Sequence, residues 1–450
     1  MDTGGRITIE TPMRFRDALP QAVDVAIIGG GVIGVFAALY LARAGKSVFL
    51  AEKGRVAGEQ SSRNWGWIRQ QGRDAAELPI AMQAVRLWQE VDAELNGACG
   101  VAVGGCYYLG SSAAEVEKHH RWLKLAAAHG LDTRALTRAE IAEAFGGQAD
   151  GRWLGGILTP SDARGEPWQA VPAVAGLARA GGAAIREGCA VRALDIAAGR
   201  VRGIVTEDGP VRAEQVILAG GAWSSLLARR HGVVIPQLTV RDTVAQTAPL
   251  PGFFGGTAAD EALALRRRAD GGFTLSLSGV ETHFVGPDSF RHFRAFLPLA
   301  RQSWRATGLR PMPRKGFPDG WTTPRGWAED EPSPFEATRV LEPVPGRGEA
   351  AAMQARFAER FPGIGRPELR QVWAGMIDTM PDVVPVVDRV PGLDGLILAT
   401  GMSGHGFGIG PGFGLILSRM VQGAAPGFDM DRFRFGRFSD GSAIRVGDAL

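Results

Sequence analysis

Three stretches carry the residue types that do chemistry. Gly29-Gly30-Gly31-Val32-Ile33-Gly34 matches GxGxxG. In such a run Gly29 permits a tight turn, Gly31 lets the backbone approach a pyrophosphate, and Gly34 lets a helix pack close to a strand. The helix N-terminus that follows offers free N–H groups and a partial positive charge to phosphates. Glu52, 23 residues past Gly29, can accept hydrogen bonds from ribose hydroxyls. The second stretch, SSRNWGWIRQQ over residues 61–71, crowds Ser61, Ser62, Arg63, Trp65, Trp67 and Arg69 around Gly66. It has neither helix nor strand periodicity, so it reads as a loop. The third stretch holds six glycines between Gly401 and Gly412, with Met402 and His405 among them. It too suits a backbone that comes close to a ligand at a helix N-terminus.

These residues need elements to place them. Residues 23–28, VDVAII, are a short apolar run that reads as a buried parallel strand. A helix then runs to Gly45, and KSVFLA is a second strand closed by Glu52. Helices are expected over 76–95, 112–129 and 351–361, a strand over 101–109, and a capping box at Thr137 and Glu140. The run 216–219, VILA, aims a buried strand at the AGGAWS loop, and 395–400 does the same for the third stretch. Residues 235–345 are rich in Pro and Trp and hold alternating strands such as 273–277, which predicts an antiparallel sheet. The fold class that follows is α/β, a Rossmann-like dinucleotide domain interleaved with an α+β substrate domain. Its segments are 22–95, 155–232 and 366–430 for the first, and 96–154 and 233–365 for the second. Residues 1–21 and 431–450 are an extension and a tail.

Composition narrows the function classes. A net charge of +3 over 450 residues argues against nucleic acid as the main partner, since phosphate binding wants a basic face. Cys99, Cys106 and Cys189 have no metal-type spacing and form no disulfide framework, which points to a reducing, cytoplasmic setting and no metal. His119-His120 reads as a solvated helix face. No signal peptide or membrane-spanning run is expected. The apolar stretch 249–256, PLPGFFGG, reads as a loop packed on the substrate domain rather than a membrane-touching one. There is one dinucleotide fingerprint, which favours a bound cofactor that takes electrons directly from an organic substrate.

Taken in order, DVAIIGGGVIG with VFLAEKG, VILAGGAWS, WAGMIDTMPDVVPVVD and LILATGMSGHGFGIG resemble the D-amino-acid oxidase superfamily of FAD-dependent oxidoreductases. That group includes glycine and sarcosine oxidases, D-amino-acid dehydrogenases and opine-type oxidases. The resemblance spans Asp24 to about Gln422 and implies FAD. It implies that Gly29, Gly31, Val32, Ile33 and Gly34 hold the pyrophosphate, and that Ser61 and Ser62 cap it. Glu52 would meet the ribose, Lys53 and Val191 the adenine. Gly220, Trp223, Arg63 and the Trp65-Gly66-Trp67 segment would pack against the cofactor. Gly401, Met402, Gly404, His405 and Gly406 would line the flavin ring. Arg69 and His405 are the candidates for catalytic roles.

The chain departs from the family at its carboxylate anchors. Ile377 stands where glycine and D-amino-acid oxidases carry an arginine, and Gly408 where sarcosine oxidases carry a lysine. Gly375 stands at the position of the cysteine that binds flavin covalently, so non-covalent FAD is expected. Arg69, then Arg241 and Arg339, are the substitutes for the missing anchors. The leading expectation is oxidation of a C–N bond in an amine or N-substituted amino acid, giving an imine that water hydrolyses. A 2-hydroxy-acid or polyol oxidoreductase is one alternative. A non-catalytic flavoprotein subunit is another, since opine-type members work with partner chains. The electron acceptor is oxygen or a quinone.

Overall fold

The computed structural model describes residues 5–303 and 306–447. The ends of the N-terminal extension and C-terminal tail, and two residues of the substrate domain, lie outside that set.

The apolar run predicted as a strand forms Ala22–Ile28 (β1), followed by the helix Val32–Arg43 (α1) and the strand Val48–Glu52 (β2). β1 is central. It pairs in parallel with β2 on one side and with Gly209–Leu218 on the other. Ala184–Glu187 extends the sheet beyond β2, and Leu396–Thr400 extends it beyond Gly209–Leu218, both in parallel. The carboxyl ends of β1, Gly209–Leu218 and Leu396–Thr400 thus share one edge, and each runs straight into glycines. Ligands of open parallel sheets bind at that edge.

Helix packing there depends on absent side chains. A Cβ on Gly34 would collide with the Gly29 carbonyl, so α1 can lie against the turn only because Gly34 has none. The helix Gly406–Val421 packs along α1, and a Cβ on Gly410 would meet Val32 at 2.7 Å. This helix begins inside the glycine run that reads as a loop from sequence, and it contains Pro411. Proline has no N–H to give the carbonyl four residues back. That carbonyl, Phe407 O, accepts from the buried Trp88 indole Nε1 at 3.0 Å instead. Trp88 therefore supplies the hydrogen bond that Pro411 lacks, on the helix that carries the third glycine stretch.

The second sheet has ten strands, mostly antiparallel, with Leu238–Thr247 near its middle. That strand pairs with Leu369–Thr379 over its full length, from Leu238 opposite Thr379 to Thr247 opposite Leu369. Gly155–Thr159 joins the same sheet beside Cys106–Gly110. Segments 155–159 and 369–379, assigned to the dinucleotide domain from sequence, are therefore strands of the larger sheet. Their apolar runs carry no mark of which sheet they join. The predicted 101–109 strand is broken at Gly105, where φ is +75, leaving Ala102–Val103 and Cys106–Gly110. The capping box at Thr137 is present. Phe253 and Phe254 of the apolar loop pack against Phe145, Phe273 and Phe361, which places that loop on the substrate-side core. The N-terminal extension is part of the fold: Ile7 and Phe15 are buried, and the N–H groups of Arg14 and Phe15 donate to Glu187. No helix among the described residues is long and apolar enough to cross a membrane.

Candidate active site

A cavity of about 360 Å³ runs from the carboxyl edge of the parallel sheet to the inner face of the larger sheet. Both sheets build its walls, and the SSRNWGWIRQQ segment passes between them.

At the sheet edge the backbone of Gly29 and Gly31 is bare. A Cβ on Gly29 would stand 2.5 Å from Ala219 O, and φ there is +108. Ser61 Oγ reaches across to the N-terminus of α1 and accepts the Val32 N–H at 2.9 Å. Glu52 is held by two backbone donors, Gly30 N at 2.7 Å and Gly54 N at 2.7 Å. Burial pushes its carboxyl up to about 7, against the pull of Lys53 and of those N–H groups. The Lys53 ammonium contacts Glu59 at 2.6 Å and lies 4.4 Å from the Trp223 ring, and Trp223 Nε1 donates to Glu59 Oε2 at 3.0 Å. This end is a glycine cradle, an oriented carboxylate and a helix N-terminus. The set fits the adenosine diphosphate half of FAD.

Farther in, Met402, Gly404, His405, Gly406 and Ile377 line the cavity. His405 Nδ1 lies 3.0 Å from Glu77 Oε2. Burial and Arg73 hold the imidazole below its ordinary range, with Glu77 opposing them. Burial raises the Glu77 carboxyl, but His405, Arg73 and Arg69 outweigh it and hold it below the usual carboxylate range. The consistent state is ionised Glu77 accepting from the Nδ1–H of a neutral imidazole, which leaves Nε2 as an acceptor.

Arg69 lies on this wall. Its guanidinium donates to Gln71 O at 2.7 Å and to the Tyr108 hydroxyl, and stands 5.7 Å from the Trp67 ring. None of these partners is an anion. Arg73 lines the same cavity and is 3% exposed, with no hydrogen-bond partner for Nε or Nη1. Burial, with Arg69 adding, brings its pKa down to about 10, still well above neutrality. Two guanidinium groups therefore line the cavity with no carboxylate in direct contact among the described residues, and Glu77 acts on both at longer range.

Most of the residues assigned from sequence to the cofactor or to catalysis line this cavity; four do not. Ser62 is buried, and its hydroxyl accepts from Ile7 N at 3.2 Å, so it ties down the N-terminal extension instead of facing the phosphate path. Gly34 acts through helix packing, as its spacing predicts. Gly66 turns at φ +77 against Gly165 and Arg266. Gly401 packs on Met380 and donates its N–H to Asp378 at 2.8 Å. Arg63 lines the cavity but also straps the fold together, donating to Ala374 O at 3.2 Å and Ile7 O at 3.3 Å. Gly375 faces Arg63, whose Cβ would be 3.4 Å from a Cβ at that position. Of the substitute anchors, Arg241 is paired with Glu349 at 3.2 Å, and Arg339 with Glu207 through a 2.6 Å bond. Neither lines the cavity. Arg73, Asp242 and Glu281 line it and are not evident from sequence. Arg73 lies four residues past Arg69, and that proximity was the available signal. At Gly408 a Cβ would stand 3.0 Å from Trp67 O, a tight contact for any side chain.

The description "DAO: FAD dependent oxidoreductase" matches residues 24–420. A D-amino acid dehydrogenase of Paramagnetospirillum magneticum is 26% identical, over 93% of this chain and 99% of that one. Human mitochondrial sarcosine dehydrogenase is 22% identical over 97% of this chain, which spans only 43% of it. The structure of L-amino acid deaminase from Proteus myxofaciens in complex with anthranilate superposes with a TM-score of 0.89 at 26% identity, covering 97% of this chain and all of that one.

Proposed function

The chain belongs to the DAO family of FAD-dependent oxidoreductases, and from that premise we propose that its cavity oxidises the C–N bond of a carboxylate-bearing amine, with Arg69 and Arg73 as the carboxylate anchor. It is an FAD-dependent enzyme of amino acids or N-substituted amino acids. The observation that carries the anchor is Arg73, a buried cation in the cavity wall that makes no direct ion pair among the described residues, with Glu77 and Asp162 acting on it only at longer range. A buried guanidinium is retained at such cost only where an anion joins it. The family's usual anchors are replaced by Ile377 and Gly408, so these two arginines take over their task from another wall.

Bound FAD supplies the acceptor for the hydride that leaves the carbon beside nitrogen. The chain's residues do the rest. Arg69 and Arg73 fix the carboxylate, and Trp65 and Trp67 shape the wall around the carbon. His405, kept neutral against Glu77, leaves Nε2 as an acceptor for a proton from the substrate amine. The resulting C=N bond is hydrolysed by water. Gly29, Gly31, Val32, Ile33, Ser61, Glu52, Lys53, Val191, Gly220 and Trp223 are assigned to the nucleotide half of FAD, and Met402, Gly404, His405 and Gly406 to its ring. We assign the smaller parallel sheet to the cofactor and the larger sheet to the substrate. The link to FAD is non-covalent, because Gly375 offers no sulfur. Acid precipitation should leave the yellow colour in the supernatant.

The electrons pass on to oxygen or a quinone. The three cysteines are free and buried, which supports a reducing, cytoplasmic setting. The test of the reaction is anaerobic titration of the yellow protein with amines, amino acids, N-alkyl amino acids and 2-hydroxy acids. Bleaching by carboxylate-bearing amines is expected. Bleaching by 2-hydroxy acids alone would refute the assignment.

A further inference from the structure

The cavity has a second charged end that the reading above leaves unused. Asp242 and Glu281 both line it. Asp242 is buried in the strand Leu238–Thr247, directly opposite Gly375. Its Oδ2 accepts from Trp65 Nε1 at 2.9 Å, and its Oδ1 accepts the Ser276 hydroxyl at 3.1 Å. Neither donor is a cation. Glu281 opens the adjacent strand Glu281–Val285, which also pairs with Leu238–Thr247. Its carboxylate has no hydrogen-bond or ion-pair partner among the described residues.

Some buried carboxylates of the fold are neutralised by arginine, while others, such as Asp162 and Asp378, are held by several neutral donors. Glu166 meets Arg266 at 2.9 Å, Asp260 meets Arg360 at 2.5 Å, and Asp382 meets Arg437 at 2.8 Å. At Asp242 and Glu281 no arginine or lysine does so. Burial raises the carboxyl of Glu281, and it raises that of Asp242 to about 7 with the charge of Glu281 adding. Two close carboxylates in a cavity wall favour a visiting cation, because each charge is costly there alone and both are satisfied together.

The opposite end is cationic. Arg69 lies 5.7 Å from the Trp67 ring, Trp67 packs edge-on against Trp65 at 5.4 Å, and Trp65 donates to Asp242. The wall therefore runs from guanidinium groups, across two indoles, to carboxylates. This order answers what the SSRNWGWIRQQ stretch is for: it links the two charged ends of one cavity. Arg73, buried with no direct ion pair among the described residues, is a separate sign that the cavity accepts a charged ligand.

We infer that the substrate carries a second cationic group away from its reacting amine, an ammonium or guanidinium held by Asp242 and Glu281 while Arg69 and Arg73 hold its carboxylate. The substrate class is a basic amino acid, or an N-substituted amino acid with a basic side chain. This assignment rests on the proposal that the cavity oxidises carboxylate-bearing amines.

The test uses the holoprotein and matched pairs: lysine against norleucine and arginine against citrulline, both enantiomers of each, with anaerobic flavin reduction as the readout. The cationic member of a pair should be favoured by roughly thirtyfold or more in reduction efficiency, the scale of a buried charge pair. In Asp242→Asn and Glu281→Gln that ratio should collapse to within a few-fold of one, with flavin absorbance checking that each variant is loaded. Equal efficiency within the wild-type pairs would overturn the inference and leave the broader function standing, and that comparison needs no variant. A wild-type preference that both variants keep would place the cation elsewhere and overturn the assignment to Asp242 and Glu281. If no amine or amino acid bleaches the flavin, the proposed function fails and this inference with it.

Discussion

The two ends of the cavity are built on opposite principles. At the nucleotide end the charged and polar groups already have protein partners: Glu52 two backbone N–H groups, Lys53 the Glu59 carboxylate, and the Ser61 hydroxyl the first turn of α1. At the substrate end, Arg73 and Glu281 make no direct ion pair among the described residues, and Asp242 has only neutral donors. The first arrangement holds a constant ligand, whose site can be preorganised and neutral before it arrives. The second is left uncompensated so that the substrate completes it. Unpaired charge costs stability, and it is tolerated here because specificity comes from penalising any ligand that fails to pair it.

The largest break in this comparison is at the nucleotide end. In Gly34→Val the new side chain must displace the Gly29 carbonyl, so α1 separates from the turn that holds the phosphates. Expression should give colourless, aggregated protein. A yellow, soluble variant would show that the helix can move without losing the cofactor site.

The substrate end should respond in the opposite way. Arg73→Met removes a buried charge that makes no direct ion pair and meets Glu77 and Asp162 only at longer range, so thermal stability should stay near the wild-type level. Flavin reduction by carboxylate-bearing amines should fall roughly thirtyfold or more. Arg266→Met serves as the contrast. Arg266 is 1% exposed and paired with Glu166, and stranding that carboxylate should cost ~3–5 kcal/mol of stability. Thermal melts of both variants check the pair of expectations. A destabilised Arg73→Met would mean that Arg73 is structural.

How much was readable from sequence divides along the same line. The nucleotide end depends on local spacing: GxGxxG, the acid after the second strand and the glycines after apolar runs all lie within a few residues of what they build. The resemblance to the family supplied the roles of the third stretch, but the sequence did not show that its helix begins at Gly406. The substrate end depends on long-range pairing. Gln70 and Gln71 are fixed by Asp162, which sets the loop that presents Arg69 and Arg73. Asp242 sits in LTVRDTVAQT, where an alternating polar residue reads as solvent-facing, but the distant Trp65 packs on that face and donates to it. Ser62 could not be told from Ser61, because only the returning N-terminal extension decides which hydroxyl faces inward.

A milder change sharpens the comparison at the nucleotide end. Glu52→Ala removes the ribose-facing carboxylate but leaves the glycine cradle. FAD affinity should weaken by about 1.5–3 kcal/mol for each charge-assisted bond lost. Titration of apoprotein with FAD measures it. An unchanged dissociation constant would remove Glu52 from the ribose site.

The smallest effect is a pH dependence, and its sign separates the two ends. Burial, with the charge of Glu281 adding, pushes the Asp242 carboxyl up from an ordinary value near 3.8 to about 7. In the free protein the folded state therefore holds that proton more tightly than the unfolded chain does. The stability this lends is complete below pH 3.8 and is lost as pH rises through 7. Cation binding runs the other way, because it needs the carboxylate and strengthens as pH rises through 7. Glu281, also raised by burial, acts in the same direction. His405 is held neutral below its ordinary range and Arg73 keeps its charge until about 10, while burial also raises Asp378 in the cavity wall. Glu52 titrates near 7 too, but it serves the cofactor and affects every substrate alike. The reacting amine must also lose a proton, which again affects both members of a matched pair. The ratio of lysine to norleucine efficiency cancels these shared terms. It should climb up to about tenfold per pH unit below 7, level off above it, and be much flatter in Asp242→Asn. A ratio that is flat from pH 6 to 8 in the wild type would show that Asp242 does not titrate against the substrate cation.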